Sequence, residues 1–193
     1  MSLVEFEPSE IERLLSILNQ RLRKRRLKAS IYIVGGAAIA ITVPGAADRR
    51  TVDVDAVVSD RAVLEEAEAL AHEEHLPRKW LNNSAAPWIP PRPPRAQAPP
   101  RRFGLTVHWA PPEHLLAMKL VAMRPQDSPD IVILSRQLGL GADAQEYADL
   151  LCTVYDGEDA LQTILNVPYD EVETETLRRG EAAVRLMESG SPT

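Results

Sequence analysis

Seven of the residues between 87 and 100 are prolines. No long helix or central strand runs through such a segment, because each proline removes a backbone donor and fixes φ. The run therefore divides the chain. Ahead of it, apolar patterning alternates between strand and helix. After it come one more strand and then helical periodicity alone. That order predicts an α+β fold, a small mixed sheet flanked by helices with a helical C-terminal part. The 193 residues suffice for a real core, with a body over 1–125 that carries the loop 77–102 and a helical region over 126–193 packed on it.

The elements follow from local signals. Ser9 and Glu12 read as a capping box ahead of Ile11, Leu14, Leu15, Leu18 and Leu22, which predicts an amphipathic helix over about 9–27. Ile31-Tyr32-Ile33-Val34 reads as a short buried strand broken by Gly35-Gly36, and Ala37 to Ile41 as a small-residue helix stopped at Pro44-Gly45. A loop over 46–50 leads to a strand over 51–58. On it Val52, Val54, Ala56 and Val58 share one face, with Thr51, Asp53, Asp55 and Val57 on the other. A helix covers 61–75. From Pro77 to Arg102 the periodicity fails, and arginines surround the prolines of a stiff, extended, solvated loop. Trp80 and Trp88 would lay that loop on the domain surface. Phe103 to Trp109 returns as a strand, Pro112 opens a helix through Val121, and further helices are expected over 128–138, 143–155 and 170–187.

Composition narrows the functional classes. The net charge of −6 is unevenly spread: residues 1–140 balance to +3 and residues 141–193 to −9, counted from the same sequence. A mildly basic body suits an anionic partner, which the acidic tail would repel or, folded over the basic surface, mask. Aromatic residues are only 5%, which speaks against stacking platforms for single strands. One cysteine, Cys152, excludes a disulfide framework or a cysteine zinc site and fits a reducing compartment. With no apolar run near the roughly 20 residues of a membrane span and no signal-like start, a cytoplasmic, soluble protein is expected. The cations at 21–28 suit either a solvated helix end or a phosphate contact.

Asp53 and Asp55 are the sharpest chemical feature. Carboxylates at i and i+2 of a strand project from one face, roughly 6–7 Å apart at Cα. Their repulsion is relieved by a cation, and Mg²⁺ is the usual oxygen-ligated one. An exposed polar strand face is the plain alternative. Gly35-Gly36, 17 residues upstream, adds a turn whose backbone can approach a phosphate at a helix start. The plain alternative there is a tight turn that needs positive φ. Lys119, amid Leu115, Leu116, Met118 and Leu120, reads from its own helix as a surface lysine with a buried stem rather than a site residue. His108 and His114, six apart across a Pro-Pro turn, have no metal-ligand spacing, and His72 and His75, at i and i+3 of a helix beside Glu73 and Glu74, read as solvated.

Ile31 to Ala38 and Arg49 to Asp55, followed by Leu115 to Arg124 and Asp127-Ser128-Pro129-Asp130-Ile131, resemble the nucleotidyltransferase (polymerase β-like) fold. The resemblance is closest to its AbiEii-like and MenT-like toxin branch, and it covers about residues 9–138. It implies Mg²⁺-dependent transfer of a nucleotidyl group from an NTP to an acceptor, tRNA or another RNA in this branch and a protein residue in some members. A toxin of this branch would have a cognate antitoxin as a possible partner, and the lack of an apolar span argues for no membrane. Carried onto this chain, Gly35 and Gly36 would cradle the phosphates with Arg49 and Thr51, and Asp53 and Asp55 would hold the metal. Lys119 would neutralise the triphosphate. Asp127 and Asp130 would orient Lys119 and Arg124, or Asp130 would assist catalysis. The sequence departs from the wider fold in lacking a third carboxylate on the strand 103–109, and Pro129 is expected to move Asp127 aside. The alternative is a nucleotidyltransferase fold without the chemistry, a binding or regulatory module docking through its proline-rich arm.

Overall fold

The computed structural model describes residues 4–46 and 48–189. Ala47, inside the expected loop 46–50, lies outside the described residues. The chain forms two compact units, Met1–Pro87 with Arg92–Ala110 and Trp88–Pro91 with Pro111–Thr193. Their division falls after Ala110, whereas the patterning places it after residue 125.

The first unit runs α1 (Pro8–Lys24), β1 (Lys28–Ile33), α2 (Gly35–Thr42), β2 (Val54–Val58), α3 (Ala62–Glu73), β3 (Leu81–Asn82), α4 (Pro94–Gln97) and β4 (Gly104–Trp109). Its sheet has the order β3-β2-β1-β4. β2 is antiparallel to β1, with Ile33 opposite Ala56, while β4 runs parallel to β1 from Lys28 opposite Gly104 to Ile33 opposite Trp109. β3 lies parallel to β2 and places Asn82 opposite Asp55. The stripe of α1 buries Ile11, Leu14, Leu15, Leu18 and Leu22 as its period requires. Ile31, Ile33, Val54, Val63 and Leu70 complete this core.

Local chemistry corrects three expectations here. Ser9 is not a cap: α1 starts one residue earlier, with Glu7 at the N-cap and Pro8 in the first turn, because proline's fixed φ suits the position whose N–H has no helical partner. The strand begins at Val54 rather than Thr51. Thr51 pairs instead with Phe6 through Phe6 N–H to Thr51 O at 2.7 Å and Thr51 N–H to Phe6 O at 3.2 Å, which leaves Val52 exposed. The segment 77–102 is not wholly irregular. Trp80 is fully buried, its indole N–H donates to Ala67 O at 2.9 Å, and β3 and the short α4 follow it. Trp88 remains half-exposed.

The second unit is built from α5 (Pro112–Ala122), α6 (Ser128–Leu138), α7 (Ala144–Val154), α8 (Glu158–Leu165) and α9 (Val172–Ser189). Leu116, Leu120, Ile131, Leu134, Tyr147, Leu151 and Ala183 form its core. Gly180 lets α9 press against α7, since a Cβ there would overlap the carbonyl oxygen of Ala144. The Arg179 guanidinium donates to Leu120 O at 2.7 Å and Val121 O at 2.6 Å, satisfying carbonyls that the end of α5 leaves open. The patterning misses α8, a two-turn helix that buries only Leu161. Among the described residues, no helix is long and apolar enough to cross a membrane.

Candidate active site

The end of β1 and the approach to β2 build a polar turn in the first unit. Val34 N–H donates to Asp55 O at 2.9 Å, so the β1–β2 pairing continues until the chain turns at Gly35. Gly35 has φ +66°, a left-handed value that only glycine adopts without strain. The turn is also short of space. A Cβ on Gly35 would stand 3.3 Å from Asp55 Oδ2, and one on Gly36 would stand 3.0 Å from Thr51 Oγ1 and 3.2 Å from Arg49 Nη2. Glycine at both positions therefore brings the backbone onto three of the predicted side chains, at the start of α2.

Asp53 sits beside this group. Its carbonyl oxygen accepts from Thr51 Oγ1 at 2.9 Å, and its Oδ2 accepts from Asn82 Nδ2 at 3.0 Å. Asn82 is itself fixed, because its Oδ1 accepts from Ser84 N–H at 2.8 Å. Asp53 makes no ion pair among the described residues, so its charge meets only a neutral amide from the protein. Asn82 is the residue that the sequence reading misses. Its only signal is an Asn-Asn-Ser step after Trp80-Leu81, and its partner is set by the β2–β3 register.

In the second unit the remaining predicted residues gather around Lys119 on α5. Lys119 Nζ lies 2.5 Å from Asp127 Oδ1 and 2.9 Å from Asp130 Oδ2. All three are buried, at 8%, 1% and 2% exposure, which excludes a solvated surface lysine. Met123 ends α5 in the left-handed region, and Arg124 then turns back to donate from Nε to Asp127 Oδ2 at 2.9 Å. Burial alone would raise the Asp127 carboxyl, but hydrogen bonds from Arg124 and Lys119, with their charges, outweigh it and hold it below the ordinary carboxylate range. Pro129 falls in the first turn of α6, where it is compatible with the helix, and it does not separate Asp127 from Lys119 or Arg124.

The histidines stand apart from this chemistry. Burial lowers His108, with the charges of Arg95 and Arg92 acting the same way. Burial also lowers His114, against the charge of Glu113. β4 carries no carboxylate. Among the described residues, no group of three or more His, Cys, Asp or Glu side chains is placed to hold a metal.

A family described as a nucleotidyltransferase of unknown function (DUF6036) matches residues 10–173. That span includes the Gly-Gly turn, Asp53 and Asp55, and the whole Lys119 cluster. No curated protein and no solved structure matches the chain.

Proposed function

The chain belongs to this nucleotidyltransferase family (DUF6036), and from that premise we propose that it transfers a nucleotidyl group from an NTP to an RNA acceptor, tRNA by its resemblance to the AbiEii-like and MenT-like toxins. The observation that carries the reading is the Gly35–Gly36 turn pressed against Asp55, Thr51 and Arg49. It offers backbone and guanidinium donors to phosphate oxygens beside carboxylates that suit a divalent cation.

The residues present fit Mg²⁺. Asp53 and Asp55 supply hard oxygen ligands, and with no third carboxylate grouped with them among the described residues, phosphate oxygens and water would complete the shell, as Mg²⁺ commonly requires. Bound there, the ion would neutralise charge developing on the phosphates. In the reaction, an acceptor hydroxyl loses its proton and bonds to the α-phosphorus, the bond to the bridging oxygen breaks, and pyrophosphate leaves. Gly35 and Gly36 position the phosphates, and Arg49 adds a fixed positive charge. Asn82 holds Asp53 in one rotamer. Lys119 supplies a second proposed role, since an ammonium fixed by Asp127 and Asp130 is a preorganised cation for a phosphate. A toxin-like enzyme of this kind would be restrained by a cognate antitoxin.

Incubation with total tRNA, Mg²⁺ and each α-labelled NTP tests the reading. Label is expected in RNA, falling by roughly 10³-fold in Asp53→Ala or Asp55→Ala, a loss worth several kcal/mol. Undiminished label in either variant removes the proposed site. The absence of a carboxylate on β4 favours a second reading, a binding module without transfer. No label in any polymer, together with no Mg²⁺-dependent NTP binding by calorimetry, would establish that module.

A further inference from the structure

The basic run at the end of α1 splits into two sets. Arg21 and Arg25 turn to α3, where Arg21 pairs with Glu73 and Arg25 Nη1 lies 2.6 Å from Glu66 Oε1. Arg23 and Arg26 turn the other way. With Arg102 they line an open groove of about 560 Å³ at the N-terminal ends of β1 and β4, and no carboxylate is in its lining. None of these three arginines makes an ion pair among the described residues. Like charges gathered in one concavity repel unless an anion joins them.

The groove is built into the strand start. Gly104 has φ +108°, and a Cβ there would overlap Asn19 Oδ1 and stand 2.7 Å from Arg23 Cγ. Asn19 Oδ1 accepts from Leu105 N–H at 2.9 Å, which ties α1 to β4 and rests the Arg23 stem on the glycine. Beside the arginines, Phe103 is 53% exposed and the Lys28 ammonium stands 5.4 Å from its ring centroid.

We propose that this groove binds the phosphate backbone of single-stranded nucleic acid, with one base laid against Phe103. Guanidinium forks match phosphate oxygens. An exposed ring among cations adds a face that an unstacked base can use and a duplex cannot offer. The low aromatic content limits this to one stacking position. The groove lies about 17 Å from the Gly35 turn, by the length of β1 at roughly 3.3 Å per residue. It does not depend on the transfer reading, because binding is measured without NTP or Mg²⁺.

The test is fluorescence anisotropy of a labelled 12-nucleotide oligouridylate across a salt series. Wild-type protein is expected to bind with a log–log salt slope of roughly −2, about −0.7 for each of three phosphate contacts. Arg23→Met/Arg102→Met keeps the side-chain stems and should lose at least about tenfold in affinity, with the slope moving to roughly −0.7. Phe103→Ala should lose about fivefold or more. Arg21→Ala/Arg25→Ala removes the same amount of charge, from the end of α1, and should stay within about threefold, because those guanidinia are already engaged. Melting by circular dichroism verifies that each variant is folded. No binding by wild-type protein overturns the proposal. So does equal loss in the Arg21/Arg25 variant, or a 12-base-pair duplex that binds as tightly as the single strand.

Discussion

The Gly35 turn of the first unit and the Lys119 cluster of the second hold acidic groups in opposite ways. At the turn, Asp53 and Asp55 are half-buried, and Asp53 takes one hydrogen bond from a neutral amide. In the cluster, Asp127 and Asp130 are nearly water-free, and Lys119 and Arg124 answer their charge. A saturated cluster holds a fold in register and leaves little field outside it. A carboxylate tied only to an amide keeps its charge for something brought to it. On the proposed function, the contrast gives the cluster mainly a stabilising role and Asp53 mainly a chemical one.

The largest effect should come from breaking the cluster. Lys119→Met takes the shared ammonium away from buried Asp127 and Asp130, and breaking a buried pair in this way costs about 3–5 kcal/mol in comparable cases. Asp53→Asn should change stability by no more than about 0.5 kcal/mol, because an amide oxygen can still accept from Asn82. Urea unfolding of both variants at pH 7 measures the pair. Equal losses would erase the distinction, and a large loss in Asp53→Asn would invert it.

Acid sharpens the same comparison with a smaller effect. Asp127 is held below its unfolded value of about 3.9, so the native state keeps the anion where the unfolded chain has taken a proton. That contribution is complete above the unfolded pKa and is lost as pH falls through the folded one. The stability gap between wild type and Asp127→Asn should therefore narrow below about pH 4. A gap independent of pH from 7 to 3 would show that folding does not lower the carboxyl's pKa. The same series on Asp53→Asn gives a reference from a carboxylate without a cation partner.

How much of this was legible depends on how far each signal reaches along the chain. Gly35-Gly36 and Asp53-x-Asp55 act through neighbours one or two residues away, and the stripe of α1 through a period of 3.6, so the sequence displays them directly. Asn82 does not announce itself, because its contact with Asp53 requires β3 to lie in register beside β2. Lys119 is not legible as a site residue from its helix alone: α5 buries Leu115, Leu116, Ala117 and Leu120 around it, while Met118 is only half-buried. Carboxylates eight and eleven residues on make that burial tolerable. The division of the basic run was hidden for a similar reason, since the partners of Arg21 and Arg25 lie more than 40 residues away on α3. Pro8 misdirected the cap by being the better start signal one residue before Ser9.

The smallest expected change in stability lies at Gly36 and bears on chemistry most directly. Alanine there gains helix propensity of up to about 1 kcal/mol, while its Cβ would meet Thr51 Oγ1 at 3.0 Å and Arg49 Nη2 at 3.2 Å. Both are side-chain atoms that can move by a few tenths of an ångström, so the terms offset and the melting temperature should barely shift. Gly35→Ala differs, because its positive φ adds about 1–2 kcal/mol of backbone strain. If Thr51 and Arg49 serve the phosphates, the displacement in Gly36→Ala should lower transfer several-fold without loss of stability. Full transfer by a Gly36→Ala protein that melts like wild type would remove both residues from the site and leave the two aspartates to carry it.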